Sequence, residues 1–291
     1  MLSEEAKAKL KPLVALESAL ISHGLPHPES VETTQAMEEI VREEGAILVT
    51  IGIIGGEPKI GLSLEELQRL AEGQSVHKVS LQDLPAAVAL GWDGGTTVSS
   101  TLYLAHKAGI RVLATGGIGG VHRGQGDISA DLCALARIPL VVVSSGAKAI
   151  LDLPATLEWL ESAGVPVIGY ATDEFPAFYS RSSGLPLEQR VDTPQEVAGI
   201  ARARDELGLS TAILVTVPVP EEDGVSTSLV EEALAKALEM AKEQGVRGGA
   251  LTPFLLGQLN ELTQGVTLRA NIALLKNNAR VAAAVARALA K

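Results

Sequence analysis

Short apolar runs rich in β-branched residues alternate along this chain with longer segments whose apolar residues recur at helical spacing. The short runs predict strands at Leu13 to Leu16, Ala46 to Ile53, Arg111 to Ala114, Ile138 to Val143, Val165 to Tyr170 and Thr211 to Val217, because near-continuous Val, Ile and Leu suits a strand covered on both faces. The longer segments predict helices at Ser30 to Glu44, Ser63 to Glu72, Thr97 to Lys107, Pro154 to Ala163, Thr193 to Leu207, Ser228 to Gln244 and Ala270 to Ala290, with a short one over Ser129 to Ala136. Such alternation is the pattern of a single α/β domain across residues 1–291, a largely parallel sheet wrapped by helices. Two segments, FPAFYSRSSG (Phe175 to Gly184) and PVPEEDG (Pro218 to Gly224), read as ordered surface loops, each either a lid or a plain connection.

Ligands of open α/β sheets bind beyond the carboxyl ends of the strands, so the residues there are the first candidates for chemistry. After Val143 the small residues of SSGA make a turn and leave space around the amine of Lys148. An ammonium partly withdrawn from water loses its proton more readily and becomes a nucleophile towards a carbonyl carbon, which makes Lys148 a Schiff-base candidate. On spacing alone Lys148 reads rather as a snorkelling lysine, or as one paired with Asp152 a helical turn on.

Three further clusters follow predicted strands. GGTTVSST, Gly94 to Thr101, places glycines and the Thr96 and Thr97 hydroxyls at a helix start, either an anion cradle or an ordinary capped turn. ATGGIGGVHRGQGDISADL, Ala114 to Leu132, is dense in glycine and lets backbone approach a ligand, while His122, Asp127 and Asp131 offer ligating or proton-handling groups. Its glycines are too clustered for a dinucleotide fingerprint, and Asp127 reads alternatively as the cap of a helix from Ile128, with Asp131 on the same face. In VALESALISHGLPHPES, Glu17 ends a short strand as either a partly buried general acid or one half of an ion pair. His23 and His27, in a turn flanked by prolines, read as packing residues or caps rather than metal ligands. Asn271, near the start of the last helix, either caps it or points into the site.

Composition narrows the partners. A net charge of −11 without a basic stripe argues against a nucleic-acid surface, yet leaves room for one bound phosphate. Apolar stretches are broken by Gly or charge short of a membrane span, and MLSEEAKAKLKP carries acids where a secretory signal needs an apolar core, so no membrane partner and a cytoplasmic location are expected. The single cysteine, Cys133, excludes an intrachain disulfide and reads as a small core residue.

The runs LESALISHGLPHPES, VTIGIIGGEPKIGLS, HKVSLQDLP, GGTTVSSTLYLA, TGGIGGVHRG, DISADL, SSGAKAILDLPATLEWLE, IGYATDEFPAFYSRSSG, LTPFLL and ANIALLKNNA, in order from Pro12 to Ala288, resemble the pseudouridine-5'-phosphate glycosidases. The resemblance implies a compact α/β/α sandwich, a homotrimer with one manganese ion (Mn²⁺) per subunit, and reversible cleavage of pseudouridine 5'-phosphate with water to uracil and ribose 5-phosphate, classed as a hydro-lyase reaction. By motif, it implies that Lys148 is the covalent nucleophile, Glu17 the proton donor and Asp127 the metal ligand. Lys78, Thr97, Val98, Ser129, Ala130 and Asp131 would line the substrate site, with His122 and Asn271 as further contacts. The chain departs from the family between HRG and DISADL, where it has only Gln125 and Gly126 in place of a longer insert.

A carbon-linked base gives no leaving nitrogen or oxygen to protonate, so the paired-carboxylate route of ordinary glycosidases does not suffice and a second electron sink is needed. Lysine addition at the sugar C1' supplies it. Two other readings use the same residues: a Schiff-base aldolase or lyase acting on a sugar phosphate, and a non-catalytic sugar-phosphate sensor. Dependence on the pyrimidine separates the first from the glycosidase, and the joint presence of Glu17, Lys148 and Asp127 favours an enzyme over the second.

Overall fold

In a computed structural model, residues 11–124 and 126–290 are described. The strands are β1 (Leu13–Glu17), β2 (Ile47–Ile54), β3 (Glu57–Ile60), β4 (His77–Val79), β5 (Gly94–Thr96), β6 (Val112–Ala114), β7 (Val121–His122), β8 (Val141–Ser144), β9 (Leu151–Asp152), β10 (Val167–Tyr170), β11 (Arg190–Val191) and β12 (Ile213–Thr216). The α-helices are α1 (Glu29–Glu43), α2 (Leu64–Glu72), α3 (Leu84–Ala89), α4 (Val98–Lys107), α5 (Ala130–Leu135), α6 (Leu153–Ser162), α7 (Pro194–Glu206), α8 (Thr227–Glu243), α9 (Leu251–Leu262) and α10 (Val266–Leu289).

Among the described residues ten strands form one sheet in the order β11-β10-β12-β8-β6-β1-β2-β5-β4, with β3 beside β2; β7 and β9 make a separate antiparallel pair. Pairing is parallel except where β2 meets β3 and β5. The central strands are buried from end to end because helices cover both faces, which is why they read as continuous apolar runs. The helix α10 packs on β1, β6 and β8 with α1 and α7 beside it, while α4 packs on β1 and β2 with α5 beside it.

The connection pattern positions the site. From β1 the chain builds outward through β2, then returns to lay β6 on the other side of β1 and continues through β8. The sheet order therefore reverses between β1 and β6, and a crevice opens beyond the carboxyl ends of strands at such a switch point.

Several expectations change. Cys133 is exposed rather than in the core, because the buried stripe of α5 runs through Leu132, Ala134 and Leu135. Helix α9 was not anticipated, since Pro253 and Gly257 interrupt its pattern; Pro253 sits in the first turn, where its missing N–H is harmless, and Leu251, Leu255 and Leu259 form the buried stripe. The Phe175 to Gly184 loop is not a surface loop throughout: Phe175, Ala177, Phe178, Tyr179 and Ser180 are buried. Likewise Val219 is buried within the Pro218 to Gly224 segment. No helix among the described residues is long and apolar enough to cross a membrane.

Candidate active site

Glu17 is the last residue of β1 and Thr115 directly follows β6, its neighbour in the sheet, so the two side chains meet at the switch point. The Thr115 hydroxyl donates to Glu17 Oε1. Glu17 is 5% exposed, and burial pushes its carboxyl above the usual carboxylate range. The Lys148 ammonium, the Thr115 hydrogen bond and Lys78 pull it down, in that order of strength after burial, while Asp131 adds to the rise.

Lys148 lies in the loop between β8 and β9, held by main-chain bonds to the glycine-rich loop beyond β6: its N–H donates to Ile118 C=O at 3.1 Å, and Ile118 N–H donates to Gly146 C=O at 3.0 Å. Gly146 has a φ of +81°, and a Cβ there would lie 2.4 Å from Pro176 O, so only glycine permits this turn. Asp152 is not the partner of Lys148; its Oδ1 accepts from Ala155 N–H at 3.0 Å and caps α6.

Both side chains border a cleft of about 840 Å³ that brings together Lys78, Thr97, His122, Asp127, Ser129, Ala130 and Asp131. Lys78, on β4, has its ammonium pressed below the usual lysine range by burial and then by Lys148, against Asp131 and Glu17. Ser129 rather than Asp127 caps α5, its hydroxyl accepting from Asp131 N–H at 3.2 Å. The anion-cradle reading changes form: Asp131 Oδ1 accepts from Ser99 N–H at 2.8 Å at the start of α4, and its Oδ2 accepts from Gly119 N–H at 2.9 Å. A carboxylate of the chain itself thus occupies part of that helix start, while Thr96 turns its hydroxyl inward to Ile51 C=O at 2.6 Å. The glycine-rich loop serves packing first: a Cβ on Gly119 would lie 2.1 Å from Ser129 Oγ, and one on Gly120 2.3 Å from Thr156 Oγ1.

Two candidates stand off the cleft wall. Val98 is fully buried in the core. Asn271 lies more than a turn inside α10, so it does not cap; it lines a smaller adjoining hollow with Glu17, Lys78 and Lys148. His23 is half-buried in a π-helical turn, Leu20–Gly24, its Nδ1 2.7 Å from Ser22 Oγ, and His27 Nε2 is 3.4 Å from Glu72.

At the rim, the Asp127 side chain is 56% exposed and its Oδ2 is 4.0 Å from His122 Nε2. Burial lowers the His122 pKa, with Asp127 opposing and the two lysines reinforcing. Among the described residues no group of three or more His, Cys, Asp or Glu is placed to cage a metal. One open carboxylate therefore fits a hard cation held mostly through water, and does not fit a closed protein cage.

Sequence reasoning missed Thr115 and Phe178. Thr115 carried a usable signal, a hydroxyl one residue beyond a predicted strand. Phe178 carried none: its φ of 62° and its place in the hollow that Lys148 also lines depend on a loop whose course is set by tertiary contacts.

Residues 3–288 match the family described as indigoidine synthase A like protein. A pseudouridine-5'-phosphate glycosidase of Caldanaerobacter subterraneus is 53% identical, the match spanning 98% of this chain and 95% of the relative. One from Paracoccus denitrificans is 52% identical, over 99% of this chain and 96% of the relative. The crystal structure of an indigoidine synthase A-like protein from Thermotoga maritima superposes with a TM-score of 0.92 at 41% identity, covering 97% of this chain and 94% of that one. The prealnumycin C-glycosynthase in complex with ribulose 5-phosphate gives 0.91 at 40% identity, covering 100% and 96%. With a full-length family match and relatives at half identity, the chain belongs to the indigoidine synthase A-like family, the family of the pseudouridine-5'-phosphate glycosidases.

Proposed function

We propose that the protein is a pseudouridine-5'-phosphate glycosidase, cleaving its substrate reversibly to uracil and ribose 5-phosphate through a Lys148 adduct, with Glu17 as proton donor. One observation carries the reading: a buried carboxyl with a raised pKa shares the floor of one cleft with a lysine amine. Burial keeps Glu17 protonated to higher pH than a free carboxyl, as a general acid near neutrality requires.

Glu17 donates its proton to the ribose ring oxygen as the C1'–O4' bond breaks, the electrons coming from the uracil ring. The Lys148 amine adds through its lone pair to C1', restoring the base. The adduct nitrogen, now an ammonium, gives up one N–H proton and regains its lone pair, and a proton adds to the uracil carbon bonded to C1'. The carbon–carbon bond breaks, its electron pair returns to the ring, and the nitrogen lone pair forms the iminium. Water hydrolyses the iminium, freeing ribose 5-phosphate and the amine. Ribulose 5-phosphate, held by the prealnumycin C-glycosynthase, has its O5 blocked by phosphate and stays open-chain, which supports a cleft shaped for a ring-opened pentose phosphate.

Lys78, beside Lys148 and Asp131, provides positive charge for the phosphate. Thr97, His122, Ser129, Ala130 and Asp131 surround the sugar phosphate, and Asn271 offers both amide polarities to the uracil edge. Val98, buried in the core, acts through the main chain at the start of α4. Asp127 would hold Mn²⁺ largely through water, and the bound ion would supply positive charge and ordered waters at the rim. A homotrimer acting in the cytoplasm completes the proposal, and light scattering on the purified protein tests the assembly.

The deciding experiment incubates the enzyme with uracil and ribose 5-phosphate and follows formation of pseudouridine 5'-phosphate by mass and ultraviolet absorption. Consumption of ribose 5-phosphate without any need for uracil would instead mark an aldolase or lyase.

A further inference from the structure

The acid ends one strand and the nucleophile lies in the loop beyond another, and a reaction needing both depends on their separation being fixed. One fully buried side chain spans the two, although it is not among the groups bordering the cleft. Asn278 on α10 is 0% exposed. Its Nδ2 donates to Thr115 C=O at 2.9 Å and reaches Gly116 C=O at 3.4 Å, while the Ser145 hydroxyl donates to its Oδ1 at 3.3 Å. Thr115 is the residue whose hydroxyl donates to Glu17, and Ser145 opens the loop that carries Lys148.

We infer that Asn278 is a positioning residue that sets Glu17 against Lys148 by fastening the ends of β6 and β8 to the C-terminal helix. Helical spacing puts Asn271, Leu274, Leu275 and Asn278 on one face of α10. That face lies close to the glycine-rich loop: a Cβ on Gly116 would be 3.2 Å from Leu275, 3.3 Å from Leu274 and 3.5 Å from Asn271 Oδ1. An amide among fully buried Leu274, Leu275, Ala279 and Ala282 is costly unless each polar atom is matched, and the amide is matched only when both strand ends are in register with the helix. The backbone also joins the two loops directly, Ser145 N–H donating to Gly116 C=O at 2.8 Å, so Asn278 references an already paired unit to the helix behind it. With the Thr115 carbonyl held, its hydroxyl is aimed at Glu17.

The inference rests on Glu17 and Lys148 carrying the reaction, so its first readout needs no substrate. In the full-length protein labelled with ¹³C at glutamate carboxyls, the Glu17 titration is assigned by its absence from Glu17→Gln, then compared in Asn278→Leu. The Thr115 bond lowers the Glu17 pKa, so loosening it should move the Glu17 titration to higher pH than in wild type. With pseudouridine 5'-phosphate, kcat of Asn278→Leu should fall on the order of 10- to 100-fold, as misplacement costs, while KM stays within about threefold. Asn278→Ser, which keeps a short donor, should recover part of both effects. Should Asn278→Leu not fold, Asn278→Ser carries the test, with intermediate shifts expected. A lower Tm with an unmoved Glu17 titration and unchanged kcat overturns the inference and leaves Asn278 a packing residue. Absence of any reaction in wild type would remove the proposed function, while the titration still decides whether Asn278 governs Glu17.

Discussion

The floor and the rim of the same cleft put two carboxylates in opposite regimes. Glu17, 5% exposed, is pushed by burial towards the protonated state and is gripped by Thr115. Asp127, its side chain 56% exposed, faces solvent beside His122, and the neighbouring Ile128 is itself 47% exposed. Under the proposed function this contrast divides the work: a buried carboxyl that keeps its proton to higher pH can give it up, whereas an open carboxylate can hold a cation through water. The two positions also differ in support, since the floor is built around strand ends that the sheet fixes and the rim from a loop that, among the described residues, is closed by main-chain bonds from His122 N–H to Asp127 C=O at 2.9 Å and from Ser129 N–H to Gly120 C=O at 3.0 Å.

Replacing the nucleophile should give the largest effect. Lys148→Ala is expected to lose activity by on the order of 10⁴-fold or more, as removal of a covalent nucleophile does elsewhere. Lys148→Arg should be no better, because a guanidinium keeps its proton. Borohydride with ribose 5-phosphate should attach one reduced sugar phosphate to the Lys148 peptide of wild type. Labelling of another lysine, with Lys148→Ala still active, would move the chemistry off the floor.

Glu17→Gln comes next, at about 10²-fold or more in kcat, the usual loss for a positioned acid. The same substitution should alter stability in the opposite direction. Because the folded-state pKa of Glu17 is raised, the folded state holds a proton that the unfolded chain has released, so stability falls as pH rises from the unfolded carboxylate pKa to the folded one. Glutamine does not ionise. Glu17→Gln should therefore melt higher than wild type above that window and show a flatter Tm-against-pH curve; a lower Tm at neutral pH would mean that Glu17 is held as a stabilised anion.

At the rim, Asp127→Ala should reduce activity about 10- to 100-fold and abolish divalent-ion dependence, by analogy with the loss of a metal-supporting group. Tm should move by no more than about 0.5 kcal/mol equivalent, since the side chain is exposed. Chelation should lower wild-type activity to about the level of Asp127→Ala until Mn²⁺ is restored, and full activity after exhaustive chelation would remove the metal from the reading.

The same contrast explains what was legible in the sequence. The central strands were readable because burial on both faces leaves an uninterrupted apolar run, as in VVVS of β8. The short strands β4 and β5 were not, since HKV and GGT carry no such run and are ordered by pairing with each other and with β2. Lys148 and Glu17 were singled out by their places at or beyond strands, and both border the cleft. Their supports were hidden: Asn278 meets Thr115 across 163 positions and Asp131 meets Ser99 across 32, and no local pattern marks a side chain that bonds to distant backbone. Asp127 looked like a helix cap because the cap belongs two residues later, to Ser129.

The smallest effect is expected at Cys133, which borders the cleft from the exposed side of α5. Cys133→Ser removes only a sulfur atom that faces solvent and takes part in no proposed step, so kcat and KM should stay within about twofold and stability within about 0.5 kcal/mol. Cys133 nevertheless borders the cleft, as do Asp127, Ala130 and Asp131. A bulky maleimide on Cys133 should therefore raise KM by obstructing entry, whereas a methylthio group, close to methionine in size, should not. Inhibition by the large label with kcat retained at saturating substrate would mark the rim as a passage and leave the chemistry to the floor. Loss of kcat with the small label would instead bring the rim into the reaction itself, and the division between the two carboxylates would have to be redrawn.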